Sequence, residues 1–307
     1  METGEVERAT GTGPAAALRL IRDRNFGPYF VGNASSATGT WFQNLAASLF
    51  VYRQTHSPFL LGVLQFANFI PVLILAPWSG SVADRFDRRH VVLGSQLVAT
   101  SLSAGLAALA WAGLAPVWVV MACVLGLGIV SAFSAPASQA LISDLVPRSD
   151  LQSAVALNSM TYNLARAVGP ALAALSVRKL GIPASFAINS ASYLVLVGGV
   201  LVVSTAPRRR ASRADTRLRE SLRLVREQPR LLAFLLIVTA VGFASDPVNT
   251  EAPAFAHAFG RPDTDAGYLI GAFGVRVAGV VLALPALAVA GAIYFLQRHH
   301  SSITNPG

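Results

Sequence analysis

The sequence predicts an all-α fold, a polytopic bundle of transmembrane helices. Three observations carry that prediction. Hydrophobic residues make up 53% of the 307-residue chain and charged residues only 13%, about half the charged share of a soluble globular protein. No Asp, Glu, Lys or Arg occurs between His90 and Asp144. The apolar runs are continuous rather than alternating, which suits membrane helices of about 20 residues and not the strands of a barrel. An ordinary soluble enzyme and a disordered chain are both excluded by this composition.

The elements follow in order. Residues 1–25 form a polar segment expected on the cytoplasmic side. Met1–Leu18 carries three glutamates and no apolar core, so no cleavable signal peptide is expected. Eight apolar segments are then read as spans: Phe26–Tyr52, Phe59–Val82, Val91–Ala112, Ala115–Leu141, Ser153–Val177, Ala184–Val203, Leu231–Phe255 and Ala266–Leu296. The charge-free run must hold two of them. As one helix it would exceed about 75 Å, over twice the bilayer core. Gly113 and Pro116 supply the turn between them.

Six spans therefore fill residues 26–205. Residues 206–230 are a polar insert in which Leu218, Leu222 and Val225 recur at helical spacing among arginines. That pattern suits an amphipathic helix on the inner membrane face, with a solvated linker as the alternative. Residues 231–307 hold two further spans and a tail.

Orientation comes from the basic residues. With the N-terminus in the cytoplasm, the inner segments carry eighteen of them and the outer segments four, a strong positive-inside bias. The net charge of +9 is thus topological. It is spread over short connections, so no nucleic-acid partner is expected, while membrane lipid is. Cys123 is the single cysteine, which excludes an internal disulfide and a cysteine metal cluster. The five histidines are scattered, and no nucleophile, phosphate-loop or ATP motif is present. No catalytic residue, metal or cofactor is expected, and an intramembrane enzyme would need a His or acidic cluster that the spans lack.

A shift of 205 residues places Phe26 on Leu231 and Gly62 on Gly267, each pair opening a span. Two related bundles joined by a long inner loop are the plan of a transporter built from repeats.

At the inner end of span two stands Gly80-Ser81-Val82-Ala83-Asp84-Arg85-Phe86-Asp87-Arg88-Arg89. Gly80 would permit close helix contact. Asp84 at a span end is costly in lipid unless paired. Arg85, Arg88 and Arg89 would reach the headgroups. Such a cluster can lock one of two bundle arrangements and release it in the other. A plain positive-inside anchor would explain the arginines alone.

This run resembles the Gly-x-Leu-Ala-Asp-Arg-x-Gly-Arg-Arg signature of the major facilitator superfamily, with Asp87 in place of glycine and Val82 in place of leucine. Ala165, Gly169 and Pro170, with Ala156, Ala173 and Ala174, follow the spacing of that superfamily's antiporter motif, alanines standing where it has glycines. The text from Asp144 through Asn158 and Arg166 to Pro170 resembles the exporter branch that includes siderophore and macrolide efflux proteins. The resemblance covers roughly residues 26–274. It implies a secondary active transporter that exports an amphiphilic small molecule by alternating access at the plasma membrane, with the proton as a candidate coupling ion.

Polar residues within the spans supply site candidates. Arg166 lies mid-span, where an arginine costs about 2.5–3.5 kcal/mol on insertion scales unless it faces a cavity or a partner. Asn33, Ser36, Trp41, Gln65, Phe66, Asn68 and Asn163 are read with it as a substrate cavity, polar groups mixed with aromatics. Interhelical hydrogen bonding is the competing reading for each residue. Asp246 and Glu251 in span seven are candidate proton carriers, unless both reach the outer water. The arginine usual in span four of the superfamily is missing from Met121–Leu141, which argues against a standard proton relay.

The superfamily plan has twelve helices. The 205-residue offset predicts a second copy of the inner-loop motif near Pro285–Tyr294, yet that stretch is wholly apolar. The expectation is a shortened transporter with Arg276–Gly307 outside the family sequence. A truncated, non-transporting membrane protein is the alternative function.

Overall fold

The computed structural model describes residues 14–204 and 250–272, apart from the side chains of residues 14–16, Pro77 and Asp84. Every long element in them is helical. α1 is Pro14–Arg22, α2 Phe26–Thr55, α3 Pro58–Arg85, α4 Arg88–Trp111, α5 Val117–Leu145, α6 Leu151–Leu180 and α7 Ile182–Val202. A 3-10 turn, Asp263–Asp265, joins helical residues 250–258 to 266–272.

Local chemistry sets the helix ends. Asp23 Oδ1 accepts from the N–H groups of Asn25 and Phe26, both at 2.8 Å, where α2 begins. Pro58 opens α3 behind Ser57, whose hydroxyl accepts from Leu60 N at 3.4 Å. Asp87 caps α4 by accepting from Arg89 N at 2.9 Å. The α4–α5 hairpin turns at Gly113, whose φ of +69° is a left-handed conformation that glycine adopts without cost.

Four described stretches are long and apolar enough to cross a membrane: Pro58–Ala76, Arg88–Trp111, Val117–Leu145 and Ile182–Val202. α2 and α6, at 30 residues each, coincide with expected spans one and five. Small and polar side chains dilute their apolar runs; Ser36 and Gln43 of α2 and Ala165 and Ala173 of α6 are buried, while Ser159 and Asn163 of α6 are exposed. Only the far parts of spans seven and eight are described, and the insert 206–230 lies outside the described residues.

Chain neighbours are not the main packing partners. The strongest pairings run α3–α5–α4–α7–α2–α6. Exchanging α2 with α5, α3 with α6 and α4 with α7 maps α3–α5 onto α2–α6 and α4–α5 onto α2–α7, and leaves α4–α7 unchanged. Because successive helices reverse direction, this is an inverted three-plus-three repeat, a known construction of transporter bundles. The α2–α7 seam is close because of glycine. A Cβ at Gly32 would lie 2.7 Å from Leu196 Cα, and one at Gly39 would lie 2.7 Å from Ser192 Cβ.

Two apolar clusters divide the bundle along its length. One lies at the end that carries the α3–α4 connection, here termed the motif end. It joins Phe26, Tyr29, Leu141, Ile142, Leu196 and Val200. The other, at the far end, joins Leu45, Leu49, Ala173, Ala174 and Phe186 and continues into Ala252, Ala266 and Ile270. Between them a polar knot spans three helices: Asn189 Nδ2 donates to Gln43 Oε1 at 3.3 Å and to Ser103 Oγ at 3.5 Å. Leu73, Trp118 and Leu194 point outward, the kind of apolar surface that lipid covers.

Candidate functional site

At the motif end the arginines fasten helices of one bundle to each other. Arg88 Nη1 donates to Asp144 Oδ2 at 2.9 Å and to the Ala140 carbonyl at 3.1 Å, tying α4 to the last turns of α5. The side chains of this pair are only 23% and 13% exposed. Arg89 reaches the end of α7, donating to the Val200 and Leu201 carbonyls at 3.1 and 2.7 Å. These are carbonyls left over at a helix C-terminus, where a cation is also favoured by the helix dipole. Arg19 adds a 2.8 Å ion pair to Asp150 at the start of α6.

Two expectations need correcting here. Arg88 and Arg89 are held by protein groups rather than offered to headgroups, because acceptors of α5 and α7 lie within reach. Gly80 is exposed, and a Cβ there would meet no described atom within 4 Å, so no close helix contact is made at Gly80 among the described residues. Arg85 is exposed. Asp84 lies in the last turn of α3, and its side chain lies outside the described residues.

The small-residue face of α6 forms a seam on two sides. Toward α2, a Cβ at Gly169 would stand 2.8 Å from Trp41 Cβ, and Ala165 beside it is buried. Toward residues 266–272, Gly267 lies against the Pro170 carbonyl and Ala174, and Gly271 against the Ala167 carbonyl. Pro170 sits inside the helix. Ala165, Gly169 and Pro170 thus lie where α6 meets both the six-helix bundle and the later helices.

The polar candidates separate into different environments. Asn33 Nδ2 donates to Asn158 Oδ1 at 2.7 Å, an α2–α6 contact. Ser36 is buried on the same α2 stripe as Gly32, Gly39 and Gln43, which faces α7. It therefore belongs to a packing seam instead of a shared cavity. Asn163 is exposed and donates to the Ser159 carbonyl of its own helix at 2.9 Å. Gln65 and Asn68 are half-buried and Phe66 is exposed on α3; the Asn68 backbone carbonyl packs against Gly128 of α5. Arg166 is half-buried at mid-helix and makes no ion pair with a described residue. Asp246 lies outside the described residues. Glu251 is half-buried and, with Phe66, lines one groove.

The far end holds a contact that the sequence did not flag. Arg53, in the last turn of α2, makes a two-pronged bridge to Asp263. Its Nε donates to Oδ2, and its Nη2 donates to Oδ1 at 2.9 Å. The guanidinium holds the Asp263 carboxyl below the usual carboxylate range, and the carboxylate raises Arg53 in turn. The residues are 210 apart in sequence. Beside them the Tyr52 ring meets His257 edge-on at 6.1 Å and His56 at 5.8 Å. The one available signal was charge itself, since Arg53 and Asp263 are opposite charges in connections expected on the same side. Among the described residues no group of three His, Cys, Asp or Glu side chains is placed to hold a metal.

Comparison with known proteins identifies this arrangement. The family model described as transmembrane secretion effector matches residues 15–290. The chain belongs to that family, within the major facilitator superfamily. The staphyloferrin A transporter of Staphylococcus aureus is 28% identical over 163 residues, 52% of this chain and 40% of its own length. An uncharacterized MFS-type transporter of Bacillus subtilis, YfiS, is 26% identical over 80% of this chain and 60% of its own. Macrolide efflux protein A of Streptococcus pyogenes is 25% identical over 73% of this chain and 56% of its own. The chain thus spans 40–60% of the length of these relatives.

Membership of this transporter family makes the chain a membrane-embedded protein, related to transporters and not to enzymes. The family match also runs past Gly274, where the sequence resemblance was expected to stop, as far as residue 290. Part of the segment from Arg276 onward, expected to lie outside the family sequence, is therefore within the matched region.

Proposed function

We propose that this major-facilitator protein is a secondary transporter that exports an amphiphilic small molecule from the cytoplasm by alternating access, with the proton as candidate coupling ion. In this reading it lies in the plasma membrane with its N-terminus and motif end cytoplasmic. Residues 26–205 are one rocking unit, and the helices of residues 231–307 belong to the other. The observation that carries the reading is the Arg53–Asp263 bridge. It crosses between the two units at the end opposite the arginine motif and sits above the α6 small-residue seam. A contact of this kind closes one mouth of a cleft and must open for the other state to form. The similarity to a staphyloferrin A transporter and a macrolide efflux protein supports the class of cargo.

Asp84 is the gating acid of the motif, Arg166 and Asn33 are substrate-side candidates in α6 and α2, and Asp246 and Glu251 are the candidate proton carriers. The test is dye efflux from proteoliposomes carrying an imposed proton gradient. Parent protein is expected to export dye faster than empty liposomes, and Asp84→Asn and Arg166→Ala to slow it at least fivefold. An Arg53→Cys/Asp263→Cys pair is expected to stop efflux when oxidised and to restore it when reduced. Efflux equal to empty liposomes would leave a non-transporting membrane protein.

A further inference from the structure

A groove of about 440 Å³ opens at the far end between α3 and helical residues 250–258. Pro58, Phe59, Gly62, Val63 and Phe66 of α3 form one wall, and Glu251 stands on the other. The α3 wall has a regular construction. Phe59, Gly62 and Phe66 recur at i, i+3 and i+7, one helical face with the two rings about 10 Å apart along the axis. Both rings are exposed. A Cβ at Gly62 would meet no described atom within 4 Å, so the floor between the rings is open.

Glu251 makes no ion pair or hydrogen bond with any described residue. A half-buried carboxylate beside apolar rings is costly unless a positive charge joins it. Aromatic faces attract cations as well.

We propose that this groove is a binding site for an amphiphilic organic cation, its charge against Glu251 and its apolar body between Phe59 and Phe66. An anionic amphiphile is disfavoured by the same carboxylate. The proposal narrows the substrate class of the transport reading and rests on it only for the step after binding. The walls belong to different units, so the site exists in full only while the two units are in contact at this end.

The test is equilibrium dialysis of the purified full chain in detergent, with tetraphenylphosphonium as cation and tetraphenylborate as an anion of nearly the same shape. The parent is expected to bind the cation saturably, and the anion at least tenfold more weakly. Glu251→Gln is expected to weaken cation binding at least tenfold and Phe66→Ala about threefold. Glu251→Asp, which keeps the charge, is expected to stay within threefold of the parent and so reports that the fold survives. Unchanged cation binding in Glu251→Gln, equal binding of both ions, or no saturable binding by the parent would each overturn the proposal. Saturable, Glu251-dependent binding without export would overturn the transport reading and leave the site standing. Export with binding indifferent to Glu251 would do the reverse.

Discussion

The two ends of the molecule use arginine for opposite purposes. At the motif end Arg88 and Arg89 tie α4 to α5 and α7, helices of one bundle. At the far end Arg53 reaches across to Asp263, in the connection between the later helices. The apolar clusters divide the same way. The far-end cluster includes Ala252, Ala266 and Ile270, whereas the motif-end cluster, among the described residues, is built from α1–α7 alone. Burial differs too: the Arg88–Asp144 pair is mostly enclosed, while the Arg53 side chain is 45% exposed. A fixed staple can afford to be buried. In the proposed cycle the far-end contact opens and closes, which works better in water, where breaking it costs little.

The largest expected effect follows from the staple. Arg88→Ala removes one donor from a mostly enclosed carboxylate and a carbonyl, and should cost about 1.5–3 kcal/mol, the range for hydrogen bonds to charged groups. Thermal unfolding in detergent measures it, with Arg53→Ala as the comparison. The contrast between the ends fails if the two variants lose equal stability.

Overpacking the seam comes next. A Cβ at Gly267 would lie 2.5 Å from Ala174 Cβ and 3.0 Å from Leu45 Cδ2. Gly267→Val should therefore cost about 1–2 kcal/mol, within the range for overpacked sites, and should push the far ends apart. The oxidised Arg53→Cys/Asp263→Cys cross-link is expected to form at least threefold more slowly in that background. An unchanged rate would show that the seam does not set the far-end distance.

How much of this was legible in the sequence depended on range along the chain. The charge-free run, the Gly113 turn and the Asp84–Arg89 motif are local, and they announced helices, hairpin and family. Gly169-Pro170 announced a helix that others approach closely. Asp87 read as a departure from glycine, yet an acid just before a helix is also a cap, and it serves as one here. Side-chain partners were out of reach. Arg88 and Asp144 are 56 residues apart, and Asn189 and Gln43 are 146 apart. Helical periodicity says which face a residue occupies but not which helix that face meets. The polar stripe of α2 that includes Ser36 therefore read as cavity or seam, and only the packing order decided. The inverted repeat was invisible for the same reason: it relates pairings, not residues.

Protonation gives a smaller effect with a definite sign. Arg53 holds Asp263 below its ordinary value. Its contribution is therefore complete above the unfolded value of about 4 and is lost as pH falls through the lower folded value. Exposure keeps the bridge to at most about 1 kcal/mol. Asp263→Asn should lower the unfolding midpoint at pH 7 by that small amount, and the difference from the parent should shrink below pH 4. A difference that grew on acidification would place the stabilising charge elsewhere.

The smallest effect concerns which unit α6 moves with. It touches both: Asn158 bonds Asn33 of α2, while its small-residue face meets Gly267 and Gly271. The Asn33–Asn158 bond lies within the first bundle, so in the proposed cycle it favours α6 staying with α2 on opening of the far end. Interhelical bonds in membranes average about 0.6 kcal/mol. A double-mutant cycle with Asn33→Ala and Asn158→Ala should return coupling near that value. The coupling should be the same with the Arg53→Cys/Asp263→Cys cross-link oxidised or reduced, because a bond inside one moving unit does not sense the gap between two. Coupling that vanished on reduction would place the hinge between α2 and α6, and the division of the molecule into staple and latch would have to be redrawn along that seam.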